Sequence, residues 1–294
     1  MNLNLESFNL SRVVPGECYL EVGGRRIQGL PFFDGGFTSQ EGISGNLGAV
    51  GSGATIGLGW VGRASGHLGA EPNVEFQENR GSSDYLGLVA VASGESPGLM
   101  ASNAPDFREP FGPPVLQVSS EEGEWLGRQA QTFSPAHLVV SAQRQDSECF
   151  NVTGRVPGAN QDASPLLVMT PRSGWWHCAS ERGAGLACWL EVIRNVAASQ
   201  PFRDLIFVAT SAHELGLLGL DDFLNRRPSL VQDAHCWLHF GADVGRQTRF
   251  SGTDDELKSK ANIALEAARV AQVCLLYTSP SPRDATLSRM PSCG

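Results

Sequence analysis

The stretch "FVATSAHELGLLG" (residues 207–219) sets an imidazole, His213, directly before a carboxylate, Glu214. Those two types side by side suit a metal site or proton transfer, because both ligate zinc and imidazole titrates near neutral pH. The pair begins a His-Glu-x-x-His motif and then breaks it. Leu217, four places after His213, cannot ligate, and Gly216 and Gly219 predict a loop rather than a helix interior. Two readings of His213 stand: a general base, or a strand-end histidine hydrogen-bonded within its loop. Other patterns carry less chemistry. "GLGWVG" (residues 57–62) matches the dinucleotide fingerprint, but the turn-rich "RASGHLGAEPN" follows where a helix is required, so Gly-rich strand and turn is expected. Ser173 lacks the Gly-x-Ser-x-Gly elbow. The adjacent side chains of His177 and Cys178 diverge, which leaves Cys178 as a buried thiol.

The elements that must position such groups are legible in the second half of the chain. "PLLVMT" and "RDLIFVAT" are continuous apolar runs of the kind expected for strands covered on both faces. Between them "GLACWLEVIRNVA" places Leu186, Trp189, Leu190, Ile193 and Val196 at helical spacing. Strand, helix, strand is a crossover unit and predicts a parallel pair, with "CWLHFGADVG" as a third strand. Chemistry in such sheets sits outside the carboxyl ends of the strands, here "TPRSGWW", "TSAHELG" and "GADVG". The first half has another rhythm: many glycines and short apolar runs such as "YLEV", "LGLVAVAS" and "PVLQVSS", which predict a β-rich domain. Ser119 and Glu122 form a capping box there, opening a short helix through Trp125 and Leu126.

Composition bounds the function. At 294 residues there is room for two modest domains, and 41% apolar with 18% charged residues is ordinary for a globular protein. No apolar run approaches the roughly 20 residues of a membrane span, and "MNLNLESFNLSRVVPGE" lacks the basic start and apolar stretch of a signal peptide, so the compartment stays open. A net charge of -9 with scattered basic residues argues against nucleic acid as a partner. None of the seven cysteines forms a Cys-x-x-Cys pair, so most read as buried, reduced thiols. Thr253 and Glu256 form a second capping box, and the helical pattern it opens runs into "CLLYTSPSPRDATLSRMPSCG" (residues 274–294), which resembles a translated sequencing adapter. The expected organisation is an N-terminal segment (1–15), a β-rich domain (16–145), an α/β domain truncated at its C-terminal side (146–273) and an artefactual tail (274–294).

In order and spacing, these segments resemble the co-catalytic zinc aminopeptidases of clan MH, the family of leucyl aminopeptidases, glutamate carboxypeptidase and the transferrin receptor. "FNVTGRVPG" (150–158) is similar to the segment that opens the family's peptidase domain. "HELGLLG" (213–219) is similar to its Glu-Glu-x-Gly-x-x-Gly segment, and residues 87–126 look like its protease-associated insertion. The resemblance implies an α/β fold, a mostly parallel sheet covered by helices, plus a β-rich protease-associated domain. It also implies two zinc ions held by His, a bridging Asp, Glu, Asp and a second His, with a Glu that deprotonates the bridging water. This sequence departs at most of those positions. Arg172-Ser173-Gly174 stands at the family's His-x-Asp, and Glu181-Arg182 at the bridging Asp-Asn pair. His213-Glu214 stands at the catalytic Glu and its ligand neighbour, and Ala242, with Asp243 one place on, at the later Asp. The final His falls beyond residue 273. Carried over, Glu181, Glu214 and Asp243 are the candidate metal ligands and His213 the candidate catalytic base. Arg172, Arg182 and Trp175 are candidate substrate-binding residues, Trp175 being equally well explained by packing. Two arginines where a dication should sit repel it by several kcal/mol even at an effective dielectric of about 20. The resemblance therefore implies an aminopeptidase-like hydrolase with one zinc at most and reduced or absent peptidase activity. The alternative is a pseudo-peptidase whose Arg-lined cleft takes a peptide or small anionic ligand, with Arg172 and Arg182 pairing to Glu181 and Glu214 when no ligand is there.

Overall fold

The computed structural model describes residues 2–62, 71–82, 84–93, 97–241, 248–250, 255–267 and 272–275. Asp243, Thr253, the tail from residue 276 and the side chain of Glu181 lie outside what is described. The elements are β1 (Leu3–Val22), β2 (Arg25–Gln28), β3 (Leu30–Pro31), β4 (Ile43–Ala49), β5 (Ile56–Gly62), α1 (Glu71–Gly81), β6 (Gly87–Ser93) and β7 (Val115–Val118). They continue with α2 (Gly123–Gln131), β8 (Pro135–Val156), β9 (Leu166–Pro171), a π-helical turn (Ala179–Gly183), α3 (Ala184–Ala197) and β10 (Leu205–Thr210). The last are α4 (Leu218–Asn225), α5 (Leu230–Asp233), β11 (Cys236–His239), β12 (Thr248–Phe250), α6 (Asp255–Ala267) and β13 (Gln272–Leu275). Two compact units emerge, an α/β unit of Met1–Asn9, Glu148–His213 and Leu217–Gly294, and a β-rich unit of Leu10–Ser147 with Glu214–Gly216.

In the α/β unit the expected crossover forms. β9 lies between β10 and β11 and is parallel to both, with Val168 opposite Phe207 on one side and Leu238 on the other. The sheet is nevertheless mixed, not mostly parallel, because the C-terminal part of β8 pairs antiparallel with β10 (Thr153 opposite Val208). An antiparallel strand beside parallel ones is common in such sheets, and β8 reaches β9 through a short connection that carries no helix. Leu167, Val168 and Met169 are all buried because both faces of β9 are covered. Val168, Phe207 and Ala209 pack with Trp189 of α3 on one face, and Leu167, Met169 and Val208 pack with Leu220, Phe223 and Leu230 of α4 and α5 on the other. Burying a side chain such as Phe207 contributes about 1.5–3 kcal/mol. The Trp189 indole donates to the Val168 carbonyl (3.0 Å) and meets the Phe207 ring edge-on. Leu190, expected on the same face, is 47% exposed.

In the β-rich unit β4, β5, β6 and β7 run parallel, β3 pairs antiparallel with β7, the N-terminal part of β8 pairs antiparallel with β4, and β1 forms a hairpin with β2. The "GLGWVG" glycines serve packing here: a Cβ on Gly57 would meet Leu88 and Tyr85, and one on Gly59 would meet Phe76. Ser119 caps the turn before α2 by accepting from the Glu121 amide, while Glu122, the other expected half of the box, takes Arg25 instead. Arg80 and Asp34 are fully buried as an ion pair at 2.7 Å.

Candidate functional site

The chemistry-bearing residues of the α/β unit gather at the carboxyl ends of β9, β10 and β11. Two backbone ties fix those ends. The Arg172 amide donates to the Thr210 carbonyl (2.8 Å), and the Thr170 hydroxyl donates to the Phe240 carbonyl (2.8 Å). Ser173, two residues out from β9, is a two-sided anchor. Its hydroxyl accepts from the His213 amide (3.1 Å), and its carbonyl accepts from Nε of Arg182 (2.8 Å). One residue therefore positions both His213, from the loop after β10, and Arg182, from the π-helical turn before α3. Gly185 sets that turn against β11, since a Cβ there would press on the carbonyls of Phe240 and Gly241, immediately after His239.

Arg182 is buried at 6% exposure. Burial, aided by the Arg182 charge, pulls the His213 imidazole down to about 4. Burial also pulls His239 to about 4, with His213 and Arg182 adding to the effect. Both rings are neutral at physiological pH, able to donate one hydrogen bond and accept another, but weak as bases. Nε2 of His239 is buried without a hydrogen-bond partner.

The loop carrying His213 is closed at its base by Asn151. Its Oδ1 accepts from the Ser211 amide (3.1 Å) and its Nδ2 donates to the Gly219 carbonyl (2.7 Å), while the Gly219 amide donates to the Ser211 carbonyl (3.1 Å). Ala212 and Leu217 sit inside the loop at positive φ (55° and 61°), a conformation that costs a non-glycine residue roughly 1–2 kcal/mol and that the clamp enforces. The segment is the loop its glycines predict, although Gly219 itself falls in the first turn of α4.

Of the sequence-derived candidates, Arg182 and His213 come together on Ser173. Arg172 turns elsewhere: exposed, it donates to the Phe150 carbonyl (2.8 Å) and the Ser211 hydroxyl (2.7 Å) rather than to a carboxylate. Trp175 is half-buried, and its carbonyl accepts from the Cys178 thiol. Glu214 is buried at 4% exposure within the β-rich unit, where its carbonyl accepts from the Ala104 amide (2.7 Å). Glu181 contributes its backbone to the π-helical turn. Among the described residues no group of three or more His, Cys, Asp or Glu is placed to hold a metal ion. Among them, too, no helix is long and apolar enough to cross a membrane. Sequence reasoning missed His239, whose only signal is a polar residue at the end of an apolar strand.

No protein-family model matches the sequence, and no curated protein matches it. Solved structures do. The chain is similar to BSAP, a zinc aminopeptidase from Bacillus subtilis, at a TM-score of 0.70 and 20% identity over 95% of this chain and 70% of that one. A peptidase M28 precursor from Shewanella amazonensis matches at a TM-score of 0.72 and 14% identity over 97% and 72% of the two chains. An aminopeptidase from an Aneurinibacillus species matches at 0.61 and 15% over 81% and 60%. At these identities the likeness is one of fold, and the fold is that of the zinc aminopeptidases.

Proposed function

We propose that this chain is an aminopeptidase-like protein whose strand-end site carries a buried arginine in place of two-zinc chemistry. Peptide hydrolysis by the bridged-water route is then weak or lost, and binding of a peptide or small anionic ligand is what the site retains. One observation carries the reading: Arg182, a buried guanidinium, is anchored on Ser173 beside the strand ends where the family resemblance puts the zinc ligands. A fixed cation there opposes a dication, and the donors described do not fit a pair of zinc ions. The β-rich unit fits the role of the protease-associated domain expected over residues 16–145.

The test uses the full purified chain, with zinc measured against protein and hydrolysis of leucine p-nitroanilide followed with and without a chelator. We expect well under one zinc per chain and no chelator-sensitive turnover; two zincs with chelator-sensitive turnover would overturn the proposal. A second reading keeps the sequence-derived set, in which Glu181, Glu214 and Asp243 hold one zinc and His213 accepts the proton. It expects one zinc per chain, lost in Glu214→Gln.

A further inference from the structure

Several arginines of the α/β unit are neutralised within the chain: Arg155, Arg194, Arg226 and Arg227 meet the carboxylates of Asp204, Glu191, Asp222 and Glu6 in turn. Arg172 is not. It is exposed, it follows β9 at the strand's carboxyl end, where α/β sheets take their ligands, and among the described residues no carboxylate pairs with it. Its guanidinium is nevertheless held in place. Nη1 donates to the Phe150 carbonyl (2.8 Å) and to the Ser211 hydroxyl (2.7 Å), and that hydroxyl donates to the same carbonyl (2.6 Å). The Arg172 amide is tied in turn to the Thr210 carbonyl (2.8 Å). The triangle uses both hydrogens of Nη1. Those of Nε and Nη2 meet no acceptor among the described residues, and Nε–H and one Nη2–H lie side by side, the fork that takes two oxygens at once.

We infer that Arg172 is the residue that recognises the ligand's anion, and that the group it takes is a carboxylate. The inference rests on the binding reading above and deepens it by naming the residue and the chemistry. An ordinary surface arginine loses rotamer freedom when it pairs with an anion, which is why exposed ion pairs are weak. Arg172 has lost that freedom before a ligand arrives, because the Phe150 carbonyl and Ser211 already fix its guanidinium, so pairing costs less there. One guanidinium with one unused fork matches a planar monoanion with two oxygens. A phosphate dianion would leave one charge and one oxygen without a counterpart, and a metal cation would face a positive charge.

The experiment titrates the full chain, stripped with a chelator, with acetate at constant ionic strength, chloride serving as the control, and follows arginine Nε–H and backbone amide signals by NMR. Expected is saturable movement of one Nε–H signal, the one missing from Arg172→Lys, together with the Arg172 amide. Apparent affinity should fall at least tenfold in Arg172→Lys, which keeps the charge and loses the fork, and stay unchanged in Arg194→Lys, whose arginine already meets Glu191. Arg172→Gln takes the place of the lysine variant if that chain does not fold. Inorganic phosphate should bind no more tightly than acetate. N-acetyl-alanyl-alanine against its C-terminal amide separates the sources of the carboxylate: tighter binding of the peptide acid than of acetate assigns a peptide C-terminus, and equal binding a free small acid. No saturable movement in the unmutated chain, an equal response to chloride, tighter binding of phosphate, or an undiminished response in a folded Arg172 variant would each overturn the inference. Because the chain is stripped beforehand, these outcomes stand apart from the zinc stoichiometry that decides the broader reading.

Discussion

Each unit buries an arginine, and the two arginines are kept in different company. Arg80 of the β-rich unit is closed in: its Nη2 meets Asp34 Oδ1 at 2.7 Å and the Phe111 carbonyl at 3.3 Å, its Nη1 meets Gln77 at 3.1 Å, and the Phe111 ring lies 4.0 Å from its guanidinium. Burial pushes the Asp34 carboxyl up despite that neighbour. Arg182 of the α/β unit donates from Nε to the Ser173 carbonyl, and its charge adds to burial in holding the His213 and His239 imidazoles down to about 4. The first is tied to a carboxylate inside a core, although its Nε is buried without a hydrogen-bond partner, and the second acts on titratable neighbours at a strand end. Location alone separates them poorly, since both are buried; what separates them is the kind of group each acts on, a carboxylate in one unit and imidazoles in the other.

Breaking the Arg80–Asp34 pair should have the largest effect. Asp34→Ala leaves Arg80 buried without its carboxylate and should cost about 3–5 kcal/mol by urea unfolding, with hydrogen exchange accelerating in β5 and β6. A loss below about 1 kcal/mol would erase the distinction drawn here. Acid comes next. His213 and His239 sit at about 4 when folded against an ordinary value of 6.5, so the unfolded chain takes up protons first as pH falls. Stability is complete above 6.5, falls by a few kcal/mol between 6.5 and 4, and stops falling for this reason below 4. His239→Phe should flatten that slope in a pH series of melting curves.

A smaller effect is expected at Glu6, where Arg227 and Thr153 hold the carboxylate and keep its pKa below the usual range although burial opposes them. Glu6 and Arg227 are both partly exposed, so Glu6→Gln should cost about 1 kcal/mol, measured by the urea midpoint at neutral pH. The smallest effect is expected for Arg182→Met, which removes the charge that adds to burial at both imidazoles and should move the His213 and His239 titrations part of the way back toward 6.5, followed by their ring signals in NMR. Unmoved titrations would show that burial alone sets them.

The crossover β9–α3–β10 was readable because continuous apolar runs and helical spacing are local properties of the letters. The antiparallel partner of β10 was not, since β8 begins in the other unit and its direction depends on how a long strand is shared. Leu190 satisfied helical spacing but points to solvent, because spacing gives a face and not its width. At the site, His213 and Arg182 were visible as types at strand ends. Ser173 was visible only as a poor nucleophile, because its use as an anchor depends on which neighbours its hydroxyl and carbonyl meet. His239 acquires meaning only from register, which sets β11 beside β9, and from what its Nε2 lacks. Arg80 and Asp34 are 46 positions apart, and nothing in either neighbourhood announces the pair.

The Asn151 clamp bears on how such a protein can change over time. A single amide side chain holds both Ser211 and Gly219, so the span of the loop is fixed from outside by a residue of β8. The residues between those two points are therefore not needed to close it. Half-buried side chains such as Leu215 can therefore be exchanged more cheaply than the glycines, since Gly216→Ala would meet the Pro105 carbonyl and Gly219→Ala would drive a Cβ into the Ser211 carbonyl and Asn151. The loop is a rigid frame with a few exchangeable positions, and a lineage could pass from one chemistry to another at those positions without first having to evolve a new scaffold.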